Sequence, residues 1–175
     1  MLNLILQTFT IMQRPVLEIP LTRFERLLEV LCVVGVITFF GLIAWKYPHL
    51  PASVPQNFGP NGQPDAWGDK SAILILCLII IFLYAMLTML SKYPHVFNYP
   101  FALNEHNIED QYRLARTLIY TIKLEIISIF LFTGWKMIQV SIGQADGLGI
   151  YFLPAFVGLL LCTIFVYIYQ ASKAR

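Results

Sequence analysis

The sequence predicts an all-α integral membrane protein, with four transmembrane helices and a Pro/Gly-rich extracytoplasmic cap loop between the first and second. Three observations carry this expectation. The chain is 58% hydrophobic and only 13% charged, more apolar surface than a soluble domain of 175 residues can hide. Its apolar runs approach the length of about 20 residues that crosses a hydrocarbon core of about 30 Å. Between the first two runs lies YPHLPASVPQNFGPNGQPDAWGDK, residues 47–70. Pro48, Pro51, Pro55, Pro60 and Pro64 each remove a backbone donor there and restrict the preceding residue, so this stretch cannot be helical.

Composition excludes several classes. A net charge of +2, spread over short segments, gives no patch for nucleic acid. Cys32, Cys77 and Cys162 sit far apart inside apolar runs, where they read as small hydrophobes and not as disulfides or metal ligands.

The first segment, residues 1–20, begins MLNLILQTFTIM. It has neither a basic flank nor a small-residue cleavage site, which argues against a secretory signal. Two readings stay open: an interfacial segment, or a start at Met12. Thr22 followed by Glu25 ahead of an apolar run is a capping box, predicting a helix over 23–45. Glu29 is expected as a headgroup-level carboxylate near the helix start, with Arg26 within reach.

In the cap, Phe58 and Trp67 gain by packing, whereas Asn61-Gly62 and Asp65 to Gly68 are turn signals. Asp69 is the expected N-cap of a second span over 71–90, which Tyr93-Pro94 ends. A third helix over 108–142 would measure about 52 Å, longer than one bilayer, so its first turns stand in water. Along it Glu109, Arg113, Arg116, Tyr120 and Lys123 recur at spacings of three and four, a polar stripe descending into the membrane. Residues 150–169 form the fourth span. Arg14, Arg23, Arg26, Lys92, Arg113, Arg116, Lys173 and Arg175 fall on one side, against Lys46, Lys70 and Lys136 on the other. That asymmetry places both termini in the cytoplasm and the cap outside, with Arg113 and Arg116 as a cytoplasmic stripe.

Leu50-Pro51, Val54-Pro55, Asn57-Phe58, Gly62, Asp65, Trp67 and Lys70 resemble the pattern LPxxIPxHFxxxGxxDxWxxK. This pattern marks the domain of unknown function at the N-terminal end of SdpI-type immunity proteins. Tyr93-Pro94 to Pro100, and Asn107, Gln111-Tyr112 and Arg116, resemble the remainder of that module. The resemblance implies a module over 21–143, comprising three transmembrane helices and the cap at 46–70, with residues 144–175 adding a fourth helix and tail. It further implies a bacterial plasma-membrane protein that senses or resists a secreted peptide. Asn57 stands where the family has His, which removes the basis for acid–base or metal chemistry at that position. SdpI-type proteins also continue with further membrane segments.

Within the cap, Asp65, Asp69, Lys70 and His49 are the candidate acid–base groups. The simpler roles of the first three are a turn, a helix cap and an interfacial cation paired with Asp65 or Asp146. The two Tyr-Pro-His segments, at 47–49 and 93–95, are separated by a full span and cannot share a metal. Charges inside a span are costly and often mark function. Lys123 is expected to snorkel outward. For Glu125, on a face with Thr117, Thr121 and Ser128, three roles are open: a hydrogen-bonded seam, a proton or ion site, or a subunit contact.

The expected function is binding or sensing, with Pro51, Pro55, Asn57, Phe58, Gly62, Asp65, Trp67 and Lys70 presenting a surface to a peptide or protein. No catalytic residue, metal or cofactor is expected, and membrane lipid surrounds the spans. The alternative is an accessory subunit of a larger membrane complex, with a small membrane-embedded hydrolase behind it.

Overall fold

A computed structural model describes residues 14–175, so the segment 1–12 lies outside the described residues. Helix α1, Arg23–Lys46, starts at the expected capping box: Thr22 Oγ1 accepts from the Glu25 amide at 3.1 Å, and the Thr22 amide donates to Glu25 Oε2 at 2.8 Å. The chain then forms strand β1, Ser53–Phe58, strand β2, Pro64–Asp69, and helix α2, Ala72–Leu90. Helix α3, Ile108–Ser141, and helix α4, Phe152–Lys173, complete the described chain. Among the described residues four helices are long and apolar enough to cross a membrane.

The cap contains regular structure that its prolines concealed. β1 and β2 pair antiparallel, Ser53 opposite Asp69 and Phe58 opposite Pro64, with irregular register between Pro55 and Phe58. Both strands of a two-stranded hairpin are edge strands, where proline is tolerated because a ladder bond is not always required. The tip is closed by Gly59 N to Gln63 O at 2.9 Å and Gly62 N to Gly59 O at 2.8 Å. Asp69 does not occupy the cap position of α2. It lies two residues before Ser71, which holds that position, and accepts from the Ser71 amide at 2.8 Å.

Helix α3 is the axis. Its 34 residues extend about 51 Å, and α1, α2, α4 and β1 all pack on it. The buried core gathers Cys32, Phe39 and Ile43 of α1, Val54 of β1, Ile73 and Ile80 of α2, and Ile127 and Ile138 of α3. Gly35 faces Ile127 and Gly134 faces the Phe39 ring, each with room for a Cβ only at 2.7 Å. These contacts let α1 and α3 approach closely. Helix α4 stands outside this core. Near its end Gln111 Nε2 donates to the carbonyls of Ala171 (2.8 Å) and Ala174 (3.1 Å), tying it to α3.

Candidate functional site

The polar stripe on α3 does not stay in solvent. At its exposed start Arg113 pairs with Glu109 at 2.7 Å, an i,i+4 bridge. Over the next three turns of the helix, Arg116, Tyr120 and Lys123 are buried. Arg116 turns inward onto Glu25, Nε to Oε1 at 2.8 Å and Nη2 to Oε2 at 3.0 Å. Its remaining donors reach the carbonyls of Ile19 (2.6 Å) and Pro20 (3.0 Å), fixing the chain that leads into α1. Thr117 donates to Glu25 Oε1 at 3.1 Å. Glu25 therefore accepts from Thr22, Arg116 and Thr117 together, and no acceptor capacity is left idle.

One turn deeper on α1, Glu29 holds a second cluster. Tyr84 of α2 donates to Glu29 Oε1 at 2.6 Å. Lys123 donates to Glu29 Oε2 and to Thr88 Oγ1, the latter at 3.0 Å. The Lys123 ammonium also lies 4.8 Å from the Tyr84 ring centroid and 4.7 Å from that of Tyr120. Lys123 is 0% exposed and does not snorkel, because an opposite charge and two ring faces lie nearer than the surface. Glu29 is not a headgroup carboxylate beside Arg26. It bridges three helices.

Glu125 faces the other way, toward α4. Thr163 donates to its Oε1, while Oε2 is buried without a hydrogen-bond partner. The seam expected with Thr117, Thr121 and Ser128 does not form: Thr117 goes to Glu25, Thr121 to the Thr117 carbonyl, and Ser128 to the Leu124 carbonyl. Arg116 likewise leaves the solvated stripe, where Glu109 and Arg113 stay exposed or part-exposed.

At the opposite end, the structure brings the cap residues into one hairpin but not onto one surface. Pro55 is buried and Phe58 half-buried against the core, so neither is presented. Pro51, Asn57 and Asp65 are exposed, and Trp67 is 51% exposed. Lys70 does not pair with Asp65 or Asp146. Its ammonium sits 5.0 Å from the Tyr47 ring centroid. Gly62 has φ 77°, and its carbonyl accepts from the Leu148 amide at 2.7 Å, docking the hairpin tip on the α3–α4 loop. A Cβ on Gly147 would stand 2.1 Å from that carbonyl oxygen. Among the described residues no group of three or more His, Cys, Asp or Glu converges as a metal site would require.

The partners Tyr84, Thr88 and Thr163 were not singled out from sequence. Tyr84 offered a signal as a hydroxyl in a run of Leu, Ile and Met. Thr88 and Thr163 offered none beyond being polar in a span.

The fold and these sites define a multi-pass helical membrane protein, with a buried ionic array at one end and a docked β-hairpin at the other. The family model described as a domain of unknown function (DUF1648) matches residues 34–83, from the middle of α1 through the hairpin into α2. An uncharacterized protein of Archaeoglobus fulgidus is similar, 28% identical over 117 residues, with 59% of this chain and 64% of that protein covered. The match thus spans under two thirds of that relative's length. No solved structure matches.

Proposed function

We propose that the chain is a plasma-membrane binding or sensing protein of the SdpI-like immunity type, engaging a peptide or partner protein through its hairpin. One observation carries the reading. The hairpin is anchored from beneath by Leu50, Val54 and Pro55, yet leaves Trp67 half-exposed beside strand edges that no third strand pairs among the described residues. Extended peptides add to such edges, with side-chain pockets giving specificity. The family match covers the hairpin. In this reading the hairpin lies outside and both termini are cytoplasmic, because the end bearing Arg14, Arg23, Arg26, Lys92, Lys173 and Arg175 is the basic one. The hairpin binds and does not hydrolyse: Asp65 lies in strand β2 and not in the turn expected of it.

The test is a deletion strain challenged with secreted peptide fractions from competing strains. Wild-type protein restores resistance, Trp67→Ala at equal abundance does not, and Asp65→Asn still does. A deletion strain as resistant as its parent to every fraction would end the immunity reading.

A second reading, an accessory subunit of a membrane complex, is favoured by α4. None of its membrane window is buried, so a whole helical face is open to another subunit or to lipid. Stoichiometric recovery of a second membrane protein in gentle detergent would select it.

A further inference from the structure

Beneath the hairpin tip, two cavities of opposite character meet. The first, about 540 Å³, is polar and lies between the tip and the α3–α4 loop, with Asn61, Gln63, Lys136, Gln144 and Asp146 around it. The second, about 520 Å³, is apolar and descends between α3 and α4, lined by Ile129, Phe132, Phe152, Ala155, Phe156 and Leu159. Gly149 lines both, so they adjoin. From Lys136 to Ile129 the groove follows seven residues of α3, about 10 Å along the helix axis.

We propose that this pair of cavities is a phospholipid site that takes a zwitterionic ammonium–phosphate headgroup, with the upper part of one acyl chain in the groove. Charge complementarity selects the occupant. Lys136 and Asp146 line the polar cavity, and neither has an ion-pair partner within 4.0 Å among the described residues. The Lys136 ammonium lies over the Trp135 ring at 5.3 Å from its centroid and the Phe132 ring at 5.9 Å, contacts that leave its N–H donors available to a phosphate. Asp146 supplies the carboxylate for a primary ammonium. A soluble zwitterion would use the polar cavity alone and leave the apolar groove unfilled. A saturated hydrocarbon would use only the groove. A phospholipid uses both. The site lies outside the exposed Trp67 surface and does not depend on the peptide-binding reading.

The test uses the full chain reconstituted in nanodiscs of mixed phosphatidylethanolamine and phosphatidylglycerol, released into the gas phase for native mass spectrometry. One retained phosphatidylethanolamine per protein is expected. Lys136→Gln and Ala155→Trp each lower retention about tenfold, the factor attached to one lost charge-assisted contact or a blocked groove. Asp146→Asn shifts the retained lipid toward phosphatidylglycerol, which has no ammonium to place. Glycerophosphoethanolamine, the headgroup without chains, does not displace the lipid. Helical circular dichroism and monodisperse elution identify variants that fold. Retention without headgroup preference, or retention unchanged in folded Lys136→Gln and Ala155→Trp, overturns the proposal.

Discussion

Arg116 grips Glu25 through two nitrogens, at 2.8 and 3.0 Å, across 91 positions of sequence, and both side chains are buried. The same carboxylate closes the capping box of α1, so helix start, helix pairing and the entering chain depend on one acid. Removing one partner of a buried pair typically costs about 3–5 kcal/mol, because the other charge stays behind unpaired. Glu25→Gln and Arg116→Ala are expected to lose stability in that range in detergent unfolding. Arg116→Lys should recover little, since an ammonium cannot reproduce the two-pronged geometry or reach Ile19 and Pro20 together. Full recovery by lysine would mean that charge alone holds the contact.

The Glu29–Lys123 pair gives a sharper test. Glu29→Gln leaves an ammonium with Thr88 and two rings, and Lys123→Met leaves a carboxylate with only Tyr84. Each single change should destabilise more than the double change, a double-mutant coupling of roughly 0.5–3 kcal/mol. Additive losses would show that the two charges do not act as a pair.

The hairpin tip should be sensitive to one methyl group. Gly147→Ala drives a Cβ into the Gly62 carbonyl at 2.1 Å, whereas Gly143 has open space and only a positive φ of 74° to strain. The second substitution is expected to cost about 1–2 kcal/mol, the usual penalty of the left-handed region. Gly147→Ala should instead undock the tip, read as faster exchange of the Leu148 amide that bonds to Gly62. Unchanged exchange would mean that the loop adjusts without losing the contact.

The entry to α2 should depend on acid pH. The Ser71 amide that bonds to Asp69 holds its carboxyl below the usual carboxylate range. A depressed folded value stabilises the ionised form. Its contribution is present above the unfolded value of about 3.9 and is lost as pH falls through the lower folded value. Exchange of the Ser71 amide, normalised for intrinsic rate, should therefore rise at acid pH in the wild type. Asp69→Asn keeps an acceptor oxygen and should abolish that dependence. An identical profile in both proteins would assign the effect to another group.

Span number and the start of α1 were legible in the sequence because they are local. An apolar run of about 20 residues announces its own length, and Thr22 and Glu25 close their box within one turn. The hairpin was half legible. Asn61-Gly62 marked the turn, but residues 65–68, read as a second turn, lie in β2, and Pro55 and Pro64 hid the pairing, which depends on strands meeting across the turn.

What the sequence by itself determined was the membrane class, four spans, the capping box and the descent of a charged stripe along α3. Only the tertiary structure decided what that stripe meets. Lys123 finds Glu29 across 94 positions, and Glu125 finds Thr163 across 38. Such partners are chosen by which helix faces which, through close approaches such as Gly35 to Ile127 and Gly134 to Phe39. The period of a single helix says which residues share a face, but carries no record of the face opposite.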